Sequence, residues 1–451
     1  MTGPGRLTVV GGGVAGLAAA WEAAGAGAEV TVLEATDRLG GRVAGTELRG
    51  RPVDLGADAF LARPPHTAAL DLCRELGLEA ELVTPAAEGA AVWAGGRLRP
   101  LPRGTVLGAP AGWAGLAAVA RSGILSPAGL ARAAADLVLP RRTRRGDVAI
   151  GELVAARLGR EVHERLVDPL LGGIHAGPSS RLSAEAVAPQ LLRAASSRRS
   201  MLLALGAHAR AAAADGTPVF RSVAGGMGAL VSALADGLRG RGVGVRTGAA
   251  VDDLGALAAD GPVVLATPAS VAAQLVAAHS PDAARGLAAI EHASVVLVAL
   301  AYPVTAFRRP LTGTGFLVPA AEGRLLTACS FGSAKWPAWA GSGEVVLRAS
   351  AGRAGDERAV HLDDGQLVDR LHTELVAAIG VTAPPLATAV ARWPGAFPQY
   401  TVGHLARVAA IEDALARDLP GVVIAGASYR GVGVPACIAQ GRAAARRALA
   451  I

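Results

Sequence analysis

The chain has 451 residues and a formal net charge of +7, a length that suits two or three domains. Its basic residues are arginines apart from Lys335, aromatic residues make up 3%, and no basic block is interleaved with aromatics, which argues against nucleic-acid binding. Cys73, Cys329 and Cys437 have neither disulfide nor metal-site spacing. They are predicted to be buried thiols in a reducing cytoplasm, with no bound metal.

Hydrophobic runs in the sequence are too short for a transmembrane helix, which needs about 18 apolar residues in succession. A secretory signal would have an apolar run that ends at a cleavage site, whereas residues 7–10 lead directly into a glycine turn. No secretory signal is therefore predicted. The densest run, residues 295–302, predicts a buried strand. We therefore expect a cytoplasmic chain with no integral membrane segment, and at most weak peripheral membrane contact through the basic stretch 141–145.

The predicted elements begin with a βαβ unit. Residues 7–10 form an apolar strand, residues 14–24 an alanine-rich helix, and residues 30–33 a second apolar strand. A further helix is predicted to start near Met227. The later short strands and the last helix are predicted at residues 242–254, 261–269 and 422–425, and from about Pro435.

Three glycines, Gly11, Gly13 and Gly16, separate the first strand from the first helix in the pattern G-x-G-x-x-G. The first permits a tight turn, the second lets the backbone approach a pyrophosphate, and the third lets the helix pack on the strand. The helix N-terminus directs its free N–H groups at the anion. Glu34, after the second strand, is placed to accept hydrogen bonds from both hydroxyls of an adenosine ribose. The pattern predicts a dinucleotide site and leaves NAD and FAD open.

A second glycine pair follows Glu34 in the segment DRLGGR. Gly40 and Gly41 again permit a close backbone approach, and Arg42 can supply a cation to a phosphate. The segment resembles the glycine-glycine-arginine extension of the flavin amine oxidase superfamily, where it lies along the FAD pyrophosphate and ribityl chain. The resemblance implies FAD held without a covalent link, because no cysteine stands in an attachment context.

The end of the chain resembles the C-terminal FAD signature of the same superfamily. The stretch GVVIAGASYRGVGVPACIAQG combines a strand, a glycine-rich turn and the start of a helix. In many relatives an acidic or amide residue follows the first glycine of this turn. Here Ala427 and Ser428 follow Gly426, so we expect the ribityl contact to come from the backbone or from Ser428.

The resemblance assigns the FAD contacts to the glycine-rich turns and their neighbouring positions. They are Gly11, Gly13, Val14, Ala15, Gly16, Glu34, Ala35, Gly40, Gly41, Arg42, Gly56, Ala57, Asp58, Val251, Gly426, Ala427, Val432, Gly433 and Val434. Val251 is expected to face the adenine, while the role of Asp58 stays open.

Segments outside the cofactor motifs narrow the resemblance. DLGADAFLARPP, GGRLRPLPRGTVLGAP and VDPLLGGIHAGPSSRLS are similar to the protoporphyrinogen/coproporphyrinogen oxidase family, most of all to bacterial coproporphyrinogen III oxidases. The similarity runs from residue 7 to about residue 445. It implies FAD-dependent oxidation of coproporphyrinogen III to coproporphyrin III in haem synthesis. Dioxygen would accept the electrons, hydrogen peroxide would leave, and the porphyrin would pass to a downstream haem-pathway enzyme.

Such a substrate is an apolar macrocycle with carboxylates, which arginine side chains bind well. Arg63 stands where relatives carry basic residues near the substrate mouth and is predicted to contact a propionate. The hairpin residues Arg97, Arg99 and Arg103 are weaker candidates. His175, in a GGIHAG turn, is either a structural histidine or a substrate-binding residue. No catalytic residue is assigned.

Alternative functions remain at this point. Protoporphyrinogen IX is the closest alternative substrate. An amine oxidase would carry a lysine on a central strand beside the flavin, where this chain has Leu297. Two further possible functions are a desaturase and a noncatalytic flavoprotein that binds or escorts a partner.

The predicted fold is α/β, with a Rossmann-like parallel sheet, a mixed β-sheet and a helical insertion. The FAD-binding domain is expected at residues 1–60, 215–285 and 400–451, and the substrate-binding domain at 61–105 and 286–399. The helical domain is expected at 106–214. Within it, residues 110–150 are predicted helical and, in relatives, this region lies over the substrate cavity.

Overall fold

A computed structural model describes residues 5–139, 146–197, 199–213 and 218–450. The basic stretch 141–145, predicted to give weak membrane contact, lies outside these residues. The α/β fold with a parallel and a mixed sheet is confirmed. The division into three domains stays a prediction.

The parallel sheet joins strands from three distant parts of the chain. Its strands, in spatial order, are β12 (Gly244–Arg246), β2 (Glu29–Leu33), β1 (Arg6–Val10), β13 (Val263–Leu265) and β19 (Val422–Ile424). Neighbouring strands all pair in parallel. Their carboxyl ends therefore share one edge, which is where open α/β sheets bind ligands.

The mixed sheet is larger. Its strands, in spatial order, are β18 (Ala387–Pro398), β14 (His292–Pro303), β17 (Glu344–Ala351), β16 (Leu326–Ser330), β15 (Gly315–Leu317), β7 (Ala91–Trp93) and β8 (Leu98–Pro100). Neighbours pair in antiparallel fashion except β15 and β7. The predicted buried strand at 295–302 lies within β14 and is almost wholly buried.

The remaining strands form smaller sheets. They are β3 (Gly45–Leu48) with β4 (Arg51–Asp54), β5 (Phe60–Leu61) and β6 (Leu82–Val83) on either side of β11 (Phe220–Val223), and β9 (Thr105–Val106) with β10 (Ala109–Pro110).

The helices cover the sheets and form the insertion between them. They are α1 (Val14–Gly25), α2 (Ala68–Glu75), α3 (Gly112–Ser122), α4 (Pro127–Ala134), α5 (Ile150–Leu158), α6 (Arg160–Val162), α7 (Asp168–His175), α8 (Ala184–Val187), α9 (Pro189–Ser197), α10 (Met201–Ala213), α11 (Met227–Gly240), α12 (Leu254–Asp260), α13 (Ala269–Val276), α14 (Pro281–Ala288), α15 (Gly332–Lys335), α16 (Asp364–Ile379), α17 (His404–Asp418) and α18 (Val434–Leu449).

Apolar stripes fix how the helices pack. On α16, Leu367, Leu371 and Leu375 recur every fourth residue, are fully buried, and share a core with the mixed sheet. On α1 nearly every side chain is buried, because the helix lies between the parallel sheet and other helices. Alanines suit such a helix, since small side chains allow close approach on all sides.

Two predicted elements differ in the structure. The predicted strand region 242–254 contains only the short strand β12, and the chain leaves the sheet before Gly248, whose φ is +64°. His175 is not in a turn, because it is the last residue of α7. The helix ends there when Ala176 adopts a left-handed conformation with φ +49°.

Candidate functional site

The turn between β1 and α1 is built by backbone-to-backbone contact. A Cβ on Gly16 would lie 1.9 Å from the carbonyl oxygen of Gly11, and a Cβ on Gly11 would lie 2.8 Å from that of Ala266. Gly13 differs, because the nearest atom to a Cβ there is the Cα of Gly41, 3.9 Å away. The space beside Gly13 is therefore open, as a pyrophosphate would require.

Glu34 lies at the edge of the parallel sheet and supports this turn. Its Oε2 accepts a hydrogen bond from the Gly12 N–H at 2.7 Å, and its Oε1 accepts one from the Thr36 N–H at 2.9 Å. The Thr36 hydroxyl also donates to Oε1, at 2.7 Å. A carboxylate has about four acceptor positions, so one position, on Oε2, is left for a ribose hydroxyl. The chain from β12 towards Val251 follows this edge, because the Ala249 N–H donates to the Glu34 carbonyl at 2.8 Å.

The second glycine pair lies directly against the first motif. Gly40 donates its N–H to the Gly12 carbonyl at 2.8 Å, and a Cβ on Gly41 would lie 3.2 Å from the Cα of Gly13. Arg42 is half-buried and donates to the Gly395 carbonyl at 3.0 Å. Burial lowers the pKa of this guanidinium, partly offset by Cys437 and Tyr400. Arg42 thus joins the parallel sheet to β18, and its contact with a phosphate stays a prediction.

The C-terminal motif meets the N-terminal motif across α1. A Cβ on Gly441 of α18 would lie 2.0 Å from the Ala15 carbonyl oxygen, and Gly426, with φ +122°, lies beside Ala15. The two cofactor motifs, far apart in sequence, are therefore adjacent at the carboxyl edge of the parallel sheet.

Tyr400 holds the C-terminal glycine turn in place. Its hydroxyl donates to the Ala427 carbonyl at 2.5 Å and accepts from the Gly431 N–H at 2.8 Å. Ser428 is buried, accepts from the Ala269 N–H at 3.1 Å and is hydrogen-bonded to His292 at 3.1 Å. These contacts fix the Ser428 side chain in place, and the ribityl contact from the backbone or from Ser428 stays a prediction.

Residues 54–58 form a loop between the two sheets. A Cβ on Gly56 would lie 2.1 Å from the Arg42 carbonyl oxygen, and Ala57 donates its N–H to the same oxygen at 3.3 Å. Asp58 accepts from Lys335 Nζ at 2.7 Å and from Trp336 Nε1 at 3.0 Å. Its side chain therefore belongs to a buried ion cluster, and its contact with FAD stays a prediction.

Arg348, on β17, completes this ion cluster and braces the loop. Its guanidinium donates to the carbonyls of Asp54 and Gly56 at 3.1 and 2.9 Å and lies 3.2 Å from Asp58 Oδ1. Burial acts to raise the pKa of Asp58, but Arg348 and Lys335 outweigh it and hold that pKa below its usual range. Lys335, the chain's single lysine, is thus an ion-pair partner of Asp58.

A cavity of about 160 Å³ lies against the mixed sheet. Its walls are mostly apolar or glycine, from α7 and its following turn, from β14, and from the ends of other strands. Six of the residues that bound it are Pro169, Gly173, Leu297, Val318, Arg353 and Phe397. Leu297, which the sequence analysis places where an amine oxidase would carry its lysine, lines the cavity, and that correspondence stays a prediction.

The cavity lies beside the cofactor motifs. The strand β14 begins at His292, which contacts Ser428 of the C-terminal motif, and reaches the cavity at Val295. On β18, Gly395 contacts Arg42, and Phe397, two residues further on, lines the cavity. A bound flavin and a molecule in the cavity would therefore be neighbours.

The arginines predicted to bind substrate do not line this cavity, and their contact with a substrate stays a prediction. Arg63 is half-buried in the loop after β5 and is not among the residues that line the cavity. Arg97 is exposed at the tip of the β7–β8 hairpin, Arg99 donates weakly to the Ala94 carbonyl at 3.4 Å, and Arg103 is exposed.

His175 is buried at the last position of α7, the helix that forms one wall of the cavity. Burial lowers the pKa of its ring to about 4, so the ring is neutral at physiological pH. Its Nδ1 has no hydrogen-bond partner among the described residues. Its carbonyl accepts from Gln399 Nε2 at 2.9 Å, so the backbone of His175 has a structural contact, and a role in substrate binding remains a prediction.

Thr267 is a polar residue that sequence reasoning missed. It follows β13 at the carboxyl edge of the parallel sheet, next to Gly11, and its buried Oγ1 has no hydrogen-bond partner among the described residues. A buried hydroxyl needs a partner, and a cofactor phosphate or hydroxyl beside Gly11 and Gly13 would supply one. This position fits a dinucleotide and could have been found from its place just after the fourth strand of the sheet.

The predicted cysteine state agrees with the structure. Cys73, Cys329 and Cys437 are free and buried, and burial raises the pKa of Cys73 to about 11 and that of Cys437 to about 12. Within the described ranges, no group of three or more histidine, cysteine or acidic residues has a metal-binding arrangement.

The parallel sheet with its paired glycine motifs, beside an apolar cavity on a mixed sheet, defines a dinucleotide-dependent oxidoreductase. The family model for flavin containing amine oxidoreductases matches residues 14–449. The chain belongs to that family, and FAD is its cofactor.

Similar proteins narrow the position within the family. The chain is 34% identical to a coproporphyrinogen III oxidase of Bacillus subtilis, with 98% of each chain covered. It is 36% identical to one of Mycobacterium tuberculosis, covering 98% of this chain and 96% of the other. A crystal structure from Exiguobacterium, titled as a protoporphyrinogen oxidase, aligns over 100% of both chains with a TM-score of 0.85 and 28% identity.

In the part of the chain that the structure describes, no helix combines the length and the hydrophobicity that a membrane crossing requires.

Proposed function

We propose that this chain is a cytoplasmic FAD-dependent oxidase that converts coproporphyrinogen III to coproporphyrin III, using dioxygen and releasing hydrogen peroxide. The observation that carries the proposal is the apolar cavity between α7 and β14, which lies beside the cofactor motifs. Similarity over nearly the full length to proteins named coproporphyrinogen III oxidases supports the same substrate.

The chemistry asks little acid–base work of the protein. Removing a hydride equivalent from a methylene bridge leaves a cation delocalised over two pyrroles, which readily loses an N–H proton. Bound FAD supplies the two-electron oxidant. Full aromatisation removes six electrons, so three rounds consume three dioxygen molecules and release three of hydrogen peroxide.

The residues around the cavity would bind and orient the macrocycle. Leu297, Pro169 and Phe397 give it apolar walls that exclude water. Its volume is below the roughly 300–1,000 Å³ of drug-sized sites, so it would enclose one edge of the macrocycle. Ser179 donates two hydrogen bonds to Asp168 Oδ1, each 2.7 Å. Oδ2 of this cavity residue can then accept from a pyrrole N–H.

Anaerobic mixing of the purified yellow protein with coproporphyrinogen III tests the proposal. We expect the flavin absorbance to bleach within the turnover time, to return when dioxygen is admitted, and porphyrin fluorescence to appear. The reaction should need neither detergent nor lipid. A flavin that stays oxidised would contradict an oxidase of porphyrinogens and favour the noncatalytic alternative.

Protoporphyrinogen IX is the second candidate substrate, favoured by the fold match to the Exiguobacterium protein. It carries two propionates where coproporphyrinogen carries four. The rates at which the two porphyrinogens bleach the flavin, measured side by side, show which one is the preferred substrate. A faster reaction with protoporphyrinogen would overturn the preferred substrate and keep the oxidase. Transfer of the porphyrin product to a downstream enzyme is part of the proposal for coproporphyrinogen.

A further inference from the structure

One wall of the cavity includes an arginine, Arg353, that the sequence analysis did not single out. Arg353 lies in the turn after β17 and contributes to the cavity wall. Among the described residues, no carboxylate lies within ion-pair distance of its guanidinium and no acceptor hydrogen-bonds to it. A partly buried arginine without a partner is costly unless something else supplies the negative charge.

The two carboxylates that act electrostatically on Arg353, Asp356 and Asp168, are hydrogen-bonded to other residues. Asp356 accepts from Arg358 Nε at 2.8 Å and from its Nη2 at 2.7 Å. Asp168 Oδ1 accepts the two hydrogen bonds from Ser179. Burial lowers the pKa of Arg353, and Asp356 and Asp168 partly offset this, but an arginine stays protonated in proteins.

The backbone around Arg353 is fixed, so its position on the wall is built into the fold. Gly352 has φ +91°, and a Cβ there would lie 2.7 Å from the Ser294 carbonyl oxygen. Ala354 donates its N–H to the Ala176 carbonyl at 2.7 Å, which ties the turn to the end of α7. Arg353 and Asp356 also exchange backbone hydrogen bonds across the turn.

We propose that Arg353 binds a carboxylate of the substrate at the wall of the cavity, and so holds the macrocycle there. This inference rests on the proposed function for the identity of the substrate. A guanidinium can pair with a carboxylate through two parallel hydrogen bonds, and the apolar walls around it strengthen that pairing by excluding water. Asp168, which also lines the cavity, is left for the pyrrole N–H groups.

The test compares FAD-loaded wild type with Arg353→Met, Arg353→Lys and the control Arg370→Met, which removes the same charge from an exposed position on α16. Steady-state kinetics use coproporphyrinogen III and its tetramethyl ester, which lacks free carboxylates. We expect Arg353→Met to raise the KM for the free acid tenfold or more, with kcat and flavin absorbance little changed. Lysine should recover part of the loss, and the ester and Arg370→Met should show no change.

Two results would overturn the inference: a KM for the free acid within twofold of wild type, or an equal rise with the ester. If wild type oxidises no porphyrinogen, the proposed function fails, and fluorescence titration with coproporphyrin III tests the site alone. Binding at least tenfold weaker in Arg353→Met than in Arg370→Met then keeps Arg353 as a carboxylate site. Equal binding removes it.

Discussion

The cofactor edge of the parallel sheet and the cavity on the mixed sheet are neighbours, but they are built in different ways. At the cofactor edge, backbone meets backbone, as where Gly16 lies against the Gly11 carbonyl and Gly441 against that of Ala15. At the cavity, side chains from α7, β14, β17 and β18 converge. At these contacts the first region leaves no room for a side chain, whereas the second depends on which charges and shapes are present.

The loop of residues 54–58 couples the two regions. On one side, the loop is bound by Arg348 of β17, a strand of the mixed sheet, and by Lys335 of α15. Arg42, whose carbonyl lies against Gly56, holds it from the other. Variants in each region and in the loop should therefore fail in different ways, and the following experiments rank those failures.

Gly16→Val should have the largest effect. Its Cβ would lie 1.9 Å from a backbone oxygen that cannot move without breaking the β1–α1 turn, so the cost should meet or exceed the roughly 3 kcal/mol upper end of ordinary overpacking. We expect little folded protein, measured by soluble yield and thermal unfolding. Gly228→Ala, in α11 with open space around it, is the control and should be tolerated. Normal yield of Gly16→Val would refute the close-contact account of this turn.

Gly13→Val should abolish FAD binding while leaving the fold intact. The protein offers room for a Cβ at this position, with the nearest atom 3.9 Å away, but the valine methyl groups would fill the space that the pyrophosphate needs. The purified variant should be colourless, with a far-UV circular dichroism spectrum like that of wild-type apoprotein. A yellow Gly13→Val protein would place the cofactor elsewhere. In wild type, acid precipitation should release the flavin, because the link is not covalent.

Asp54→Asn tests the coupling loop through pH. Burial is the main cause that raises the pKa of Asp54 to about 6, above the value of about 3.9 in an unfolded chain. The folded state therefore binds more protons between about pH 4 and 6, and stability falls as pH rises through that window. A pKa difference of about two units corresponds to roughly 3 kcal/mol of folding stability lost as Asp54 ionises. Asp54→Asn should not lose this stability, because an amide does not ionise.

Urea unfolding of wild type and Asp54→Asn at several pH values measures this difference. The variant should gain stability relative to wild type as pH rises from 4 to 7, while its amide oxygen can still accept from the Met227 N–H, now 3.1 Å from Asp54 Oδ1. A difference that is constant with pH would mean that Asp54 titrates normally.

Arg63→Ala should have the smallest effect of the series. If Arg63 contacts a propionate, as the sequence predicts, kcat/KM for coproporphyrinogen should fall by the equivalent of about 1.5–3 kcal/mol through KM, with flavin binding unchanged. Unchanged kinetics would assign Arg63 to the surface. Measured beside Arg353→Met, this variant shows which arginine the substrate carboxylates use.

Much of the cofactor region could be predicted from the sequence because its signals are local. The strand, turn and helix around Gly11, Gly13 and Gly16 need one another within a few residues, and the observed β1 and α1 differ from the predicted bounds by a single residue at one end of each. The acid at Glu34 and the pair Gly40–Gly41 follow at short range, and the resemblance built on these residues led to the correct family and cofactor.

The substrate side depends on contacts between residues far apart in the chain. Sequence reasoning chose Arg63 for its neighbours in a motif, whereas the cavity contains Arg353, which is brought to α7 by one backbone hydrogen bond between Ala354 and Ala176. The bonds from Asp58 to Lys335 and Trp336, more than 270 positions away, could not be inferred either. A pattern read along the chain cannot report which side chains are already engaged.

What the sequence determined by itself is therefore the backbone geometry at the carboxyl edge of the parallel sheet, because glycine is required wherever backbone atoms touch. What only the tertiary structure decided is which charged side chains are satisfied and which are left for a ligand. Arg348 and Arg353 stand five residues apart on and after one strand, yet the first is bound to the loop of residues 54–58 and the second faces the cavity. Ion pairing is set by three-dimensional neighbours, and it separates a structural arginine from one that can bind substrate.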